Sequence, residues 1–243
     1  MGFDLIAAAY DILSDPGKRV EREGAFLRTL AAPGTRVLDL ACGTGVHAQF
    51  LAAHGAEVMA CDLSPGMIAQ AAHSRPHPRV RYEVRDMRTP PPGPFDLALC
   101  LGNSINLLPD AAAVQAMLQA VKAVLAPGGR LLLHAINPAC RSHAEPSLVR
   151  KSGEADGREV VICKTLVPWQ SRRFLMLAYF WRPARSGKDW QSQTEASVLL
   201  DLGAEDLRRC LATAGFGDVS AYGSMEQSDF SPELSPDTIL LAK

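Results

Sequence analysis

From residue 36 to residue 137, short apolar runs alternate with stretches whose apolar positions recur every three or four residues. "RVLDLA", "AEVMACD", "VRYEVRD", "FDLALCLG" and "RLLLHAIN" are strand-length runs. Between them, "VHAQFLAAHG", "SPGMIAQAAHS" with Pro65 at its start, and "DAAAVQAMLQAVKAVLAPGG" carry helical spacing. Gly128 and Gly129 read as the stop of that last helix. Strands and helices in such alternation predict a parallel sheet covered on both faces.

Two helices, 3–13 and 17–31, precede the first strand, separated by "SDPG"; Phe26, Leu27 and Leu30 set the apolar stripe of the second. From about residue 141 the rhythm changes. "REVVICKTLVPW", "RRFLMLAYFW" and "QSQTEASVLLDL" are strand-length with no long helix between them, which predicts an antiparallel meander. Helix "GAEDLRRCLATAGF" and strands "GDVSAYGSM" and "DTILLAK" then return to the main sheet. The expected organisation is a core of 1–140 and 200–243, with 1–32 as a helical lid and 141–199 as a β insertion after strand five.

The remaining bulk properties narrow the partners. A chain of 243 residues suits one domain with a decoration. A net charge of −1 and dispersed arginines (Ser171-Arg172-Arg173 is a weak pair) give no basis for nucleic acid or an anionic membrane as partner. No apolar run has the length of a membrane span, and the N-terminus, with Asp4 and Asp11, reads as neither a signal peptide nor, after Gly2, a myristoylation site. The six cysteines are scattered, without CxxC or zinc spacing, so no metal site is expected and a reducing, cytoplasmic setting is. A small-molecule partner remains; the oligomeric state is open.

Gly43-Thr44-Gly45-Val46-His47-Ala48 fits G-x-G-x-x-[G/A] between a strand and a helix, and Asp62 follows Gly43 by 19 residues. Such a loop suits a nicotinamide dinucleotide or another nucleoside cofactor. Three features favour the second. Asp39, just before the loop, would face a pyrophosphate unfavourably but would hold an ammonium group. The two leading helices are placed to cover the site. Asp86, at the end of the third strand, supplies an acceptor for an adenine amino group.

"VLDLACGTG", "CDLSPGMI", "VRDM", "FDLALCLGNSINLLPD" and "LAPGGRLLLHA" resemble, in order, the motifs of class I S-adenosylmethionine-dependent methyltransferases. "VLDLACGTGV" and "CLGNSINLLPD" look most like the glycine/sarcosine N-methyltransferase branch, with its amino-sugar and natural-product relatives. The resemblance implies an α/β, Rossmann-like parallel sheet with an antiparallel C-terminal strand, the insertion lying over the acceptor site. It implies S-adenosyl-L-methionine as cofactor, with S-adenosyl-L-homocysteine as product. Cofactor contacts then fall on Tyr10, Arg19, Asp39, Ala41, Gly43, Gly45, Asp62, Leu63, Met67, Asp86, Met87 and Leu101. In this alignment Arg19 grips the cofactor carboxylate, Tyr10 lies in the lid and Asp62 holds the ribose. Asn103 sits beside the acceptor.

Two residues depart from the glycine-methylating pattern. Ile136 stands where those enzymes carry an arginine for the substrate carboxylate, and Leu107 stands near their histidine. Without a bidentate partner, an α-amino acid is a poor acceptor. N-methylation of another small-molecule amine is the expected activity, since an amine needs little more than loss of a proton. His134, at the carboxyl end of strand five, is the candidate base for the alternative, O-methylation of a hydroxyl. Nicotinamide oxidoreduction and non-catalytic cofactor binding are the more distant alternatives.

Overall fold

A computed structural model of the chain describes residues 3–170, 172–184 and 189–243; Gly2 and Ser171 lie outside these ranges. Helices α1 (Phe3–Ile6), α2 (Tyr10–Ser14) and α3 (Pro16–Leu30) lead into β1 (Arg36–Leu40). Then come α4 (Val46–Ala53), β2 (Glu57–Asp62), α5 (Pro65–Ser74), β3 (Val80–Val84) and β4 (Phe95–Cys100). They are followed by α6 (Ala111–Val124) and β5 (Leu125–Ile136), then the meander β6 (Ser147–Ala155), β7 (Arg158–Trp169), β8 (Arg172–Pro183) and β9 (Gln191–Leu200). Helix α7 (Ala204–Thr213), β10 (Val219–Tyr222) and β11 (Asp237–Ala242) close the chain.

The main sheet runs β10-β11-β5-β4-β1-β2-β3. Strands β1 to β5 are parallel, while β11 pairs antiparallel with both β5 and β10. The strand order reverses between β1 and β4, and ligands of open α/β sheets bind at the carboxyl ends beside such a reversal. Alternate residues of the central strands feed two cores. Leu38, Leu40, Ala98, Leu131 and Leu133 pack against α6, whose buried face is Val114, Met117, Leu118 and Val121. Val37, Leu97, Leu99 and Leu132 pack with Phe26, Leu27 and Leu30 of α3. Burial of each such leucine stabilises by about 1.5–3 kcal/mol. Capping starts the helices on the strand ends: Ser64 Oγ accepts from the Met67 amide at 3.0 Å, and Asp110 Oδ1 from the Ala113 amide at 2.8 Å.

Three local expectations change. The first helix is interrupted by a 3₁₀ turn at Ala7–Ala9, so α1 and α2 are separate. Helix α6 stops at Val124, and Gly128 and Gly129 lie inside β5. A Cβ on Gly129 would come within 3.0 Å of the Phe95 carbonyl oxygen, where the β4–β5 register shifts, so glycine there permits close backbone approach. The meander has four strands where the apolar runs predicted three. Strand β6 pairs along its whole length with β7, from Ser147↔Leu166 to Ala155↔Arg158. Its sequence, "SLVRKSGEA", hides the alternation behind Arg150, Lys151 and Gly153.

The N-terminal segment and the meander share a third core. Ile6, Ala7 and Ala9 meet Met67 of α5 and the inner face of the meander, including Val160, Ile162, Leu175, Leu177 and Tyr179. Among the described residues no helix is long and apolar enough to cross a membrane.

Candidate active site

Beyond β1 the backbone turns into α4 through left-handed conformations at Ala41 (φ 54°), Gly43 (57°) and Gly45 (80°). This loop borders a cavity of about 370 Å³ at the carboxyl ends of the parallel strands. Of the predicted site residues, Tyr10, Arg19, Ala41, Gly43 and Asp62 line it. Leu63, Met67, Asp86, Met87 and Asn103 do so too. Asp39 and Leu101 line a smaller recess of about 30 Å³, which shares Tyr10, Arg19, Ala41 and Gly43 with the larger cavity. Gly45 and His134 line neither.

Gly45 instead serves packing. A Cβ there would meet Tyr82 Oη at 2.6 Å, whereas one on Gly43 would meet only Tyr10 Cε1, at 3.8 Å. The loop can therefore bring Gly43 against a ligand, while Gly45 lets Tyr82 close behind it. Asp62 braces the loop from β2: Oδ2 accepts from the Gly43 amide and Oδ1 from the Ser64 amide, each at 2.9 Å. Burial raises the Asp62 carboxyl, and the Ser64 and Gly43 amides oppose that rise.

Asp39 is 1% exposed, and its Oδ2 has no hydrogen-bond partner among the described residues. Burial pushes its carboxyl up to about 6; His47 and Arg19 pull it down, and Asp62 adds to the rise. An unpaired buried carboxylate oxygen is costly in isolation and suits an incoming cation. Asp86 is different. Both of its oxygens accept from the Arg88 guanidinium, which holds its carboxyl below the usual range.

Asn103 has φ 69° and is pinned by its side chain: Oδ1 accepts from the Ile136 amide at 2.9 Å and from Asn106 Nδ2 at 2.8 Å. Its amide donates to the His134 carbonyl at 3.1 Å. The His134 ring is engaged on both nitrogens, with Nε2 3.1 Å from Asp237 Oδ1 and Nδ1 accepting from the Gly102 amide at 3.4 Å. This pattern assigns the proton to Nε2. All six cysteines are free, and burial raises the thiols of Cys61 and Cys100 to about 12, where they stay protonated.

Other residues around the site are not evident from the motifs. Glu23 of α3 contacts His47 of α4 at 2.6 Å, and Arg19 lies 3.8 Å from the same carboxylate. Residue 23 falls in step with the stripe 26, 27, 30, so a carboxylate on the apolar side of α3 was a readable signal. Asp11 accepts from Thr44 Oγ1 at 2.6 Å and pairs with Arg75, tying α2 to the glycine loop and to the end of α5. Asp4 accepts from Ser64 Oγ at 2.6 Å and from the Gly66 amide at 2.8 Å, which latches α1 onto the start of α5. The far wall of the cavity comes from the meander: Val149, Lys164, Leu166, Leu175, Leu177 and Leu199. Nothing in the sequence alone places those residues opposite the glycine loop.

Residues 37–129 match the family described as "Methyltransferase domain". An S-adenosylmethionine-dependent methyltransferase from Clostridium acetobutylicum superposes over 100% of this chain and 99% of its own, with a TM-score of 0.78 and 18% identity. The family match over residues 37–129 and the superposition agree on the fold of a methyltransferase domain. A sugar N-methyltransferase from a Streptoalloteichus species superposes over 96% of this chain and 92% of its own, with a TM-score of 0.76 and 21% identity. The demethylmenaquinone methyltransferase of Beutenbergia cavernae is 34% identical over 137 residues, 54% of this chain and 55% of that protein. The chain thus spans about half the length of the curated relatives it matches. The Rossmann-like architecture agrees with the expected fold.

The residues present fit the methyltransferase cofactor. The unpartnered Asp39 oxygen suits an ammonium, and the open face at Gly43 suits close approach of a nucleoside. S-adenosylmethionine has such an ammonium and no phosphate.

Proposed function

We propose that the chain is an N-methyltransferase acting on a small-molecule amine. The observation that carries this reading is the composition of the cavity's far wall. It is built of leucines and a valine from the meander with one lysine, Lys164, among them, and among the described residues no histidine lines the cavity. An acceptor there finds a dry, shaped surface and little acid–base help, which suits an amine better than a hydroxyl. The likeness to a sugar N-methyltransferase points the same way.

In this reading Asp39 holds the cofactor's ammonium, Arg19 its carboxylate and Asp62 its ribose. The cofactor, when bound, supplies an electrophilic methyl group on a positive sulfur. The chain's contribution is alignment and exclusion of water, which can supply roughly 7–11 kcal/mol of the barrier. Tyr10 and Met67 close the cavity on the lid side, and Asn103, fixed by the Ile136 amide, orients the acceptor. The lid of 1–32 and the insertion of 141–199 are the parts that enclose the reaction, and a cytoplasmic setting suits the free thiols.

The alternative, O-methylation, would use His134 as base, although its ring nitrogens are engaged by Asp237 and the Gly102 amide. The two readings separate by mass spectrometry of products from matched amines and alcohols supplied with S-adenosylmethionine. Methylated amines, made as well by His134→Gln as by the wild type, are the expected result. Methylation of alcohols or phenols alone, abolished in that variant, would replace this reading with the other.

A further inference from the structure

Lys164 stands on the inner face of β7 between Ile162 and Leu166, in register with Val149 of β6 and Leu177 of β8. All but Ile162 of this set line the large cavity. Among the described residues no carboxylate pairs with the Lys164 ammonium, and an unpaired cation in an apolar wall is costly. The other cations lining the cavity each have a carboxylate: Arg19 has Glu23 at 3.8 Å, Arg85 has Glu83, and Arg88 has Asp86 at 2.5 Å. The cavity's acids are also taken, Asp62 by the amides of Gly43 and Ser64 and Asp86 by Arg88. A counter-ion for Lys164 must therefore arrive with a ligand.

We propose that Lys164 recognises an anionic group, a carboxylate or a phosphate, carried by the acceptor amine, and so determines which amines the site accepts. The inference rests on the methyl-transfer reading above and deepens it. Burial and repulsion from the nearby Arg19 lower the lysine's pKa, so a charged Lys164 is disfavoured without an anion beside it. An anion between the meander wall and the lid relieves that repulsion. Ile136, which ends β5 and lines the same cavity, offers no charge. Lysine acts there as a point charge and accommodates either a carboxylate or a phosphate.

The test uses the full chain saturated with S-adenosylhomocysteine, titrated calorimetrically with three matched pairs. These are propylamine and 3-aminopropanoate, 2-aminoethanol and 2-aminoethyl phosphate, and glucosamine and glucosamine 6-phosphate. In at least one pair the anionic member should bind about ten- to a hundredfold more tightly to the wild type. The preference should vanish in Lys164→Met and persist in Lys164→Arg, while affinity for S-adenosylhomocysteine stays unchanged in both. The free Lys164→Met protein should melt no lower than wild type, because an unpaired buried charge has been removed. Equal binding within every pair, binding of none, or a preference kept in Lys164→Met would overturn the proposal. So would loss of S-adenosylhomocysteine affinity in Lys164→Met, which would assign the lysine to the cofactor's carboxylate. A wild type that binds no S-adenosylhomocysteine removes the methyl-transfer reading as well, whereas one that binds it without anion preference removes this proposal alone.

Discussion

Glu23 on α3 and His47 on α4 meet through Oε2 and Nε2 at 2.6 Å, both buried, and join the lid-bearing helix to the helix that follows the glycine loop. Burial alone would raise the Glu23 carboxyl. The hydrogen bond and charge of His47, with Arg19 and Arg22, overcome that and hold it at about 2, against 4.5 for a free glutamate. A depressed carboxyl stabilises the fold fully above its unfolded pKa, and that contribution fades as pH falls from 4.5 toward 2. The shift corresponds to about 3 kcal/mol at neutral pH. Glu23→Gln should lose stability of that order in urea unfolding at pH 7, with the gap to wild type narrowing below pH 4.5. Parallel pH–stability curves for the two proteins would show that the pair contributes nothing through charge.

Asp62 ties two backbone segments with one carboxylate, and both must be held for the loop to keep its shape. Asp62→Ala leaves the Gly43 and Ser64 amides without their acceptor. Hydrogen bonds to charged groups are each worth about 1.5–3 kcal/mol, so S-adenosylhomocysteine affinity should fall tenfold or more. Asp62→Asn retains one acceptor oxygen and should fall between. Calorimetric titration ranks the three proteins, and equal affinities would remove Asp62 from the cofactor site.

What the sequence made legible was local. Asp39 and Asp62 belong to two strands that are neighbours in a parallel sheet, and Gly43 to the loop after the first, so motif spacing alone brings them together. Strands β1 and β4 were readable because both faces are largely buried and their apolar runs are uninterrupted. Lys164 was not readable as a site residue, because its meeting with Arg19 depends on how the meander closes over the lid. Strand β6 was hidden by its own charges. Gly128 and Gly129 misled because glycine after an apolar helix signals a stop, and here it admits a strand to close backbone contact instead.

Gly43 and Gly45 share a left-handed backbone but should fail differently when given a side chain. Gly45→Ala drives its Cβ into Tyr82, whose hydroxyl donates to the Arg75 carbonyl at 3.0 Å. Strain at positive φ and the displaced ring together should cost more than about 1 kcal/mol of stability. Gly43→Ala meets no close atom of the protein, so its melting temperature should fall less. Its methyl would project into the cavity, and S-adenosylhomocysteine affinity should drop at least tenfold. Thermal melts with and without the ligand distinguish them: Gly43→Ala loses the ligand-induced rise, while Gly45→Ala melts early and keeps it. The reverse pattern would exchange the two roles.

Asp39 has the opposite pH sign to Glu23. Burial raises its carboxyl from 3.8 to about 6, so the folded protein takes up a proton that the unfolded chain has released. Stability from that proton is lost as pH rises from 3.8 through 6, a cost of about 3 kcal/mol at neutral pH. Asp39→Asn removes the ionisation and should make the free protein more stable at pH 8, with the gain gone at pH 3.5. The same substitution removes the charge proposed to hold the cofactor's ammonium, so S-adenosylhomocysteine affinity should fall tenfold or more. Wild-type affinity should itself weaken as pH drops below about 6 and the carboxylate takes up its proton. A gain in stability with a loss in binding is the signature of a charge kept buried for a ligand. Urea unfolding at pH 3.5 and 8, with calorimetry at pH 5 and 8, measures both halves. If Asp39→Asn is less stable than wild type and binds S-adenosylhomocysteine equally well, the acid is structural and the ammonium is held elsewhere.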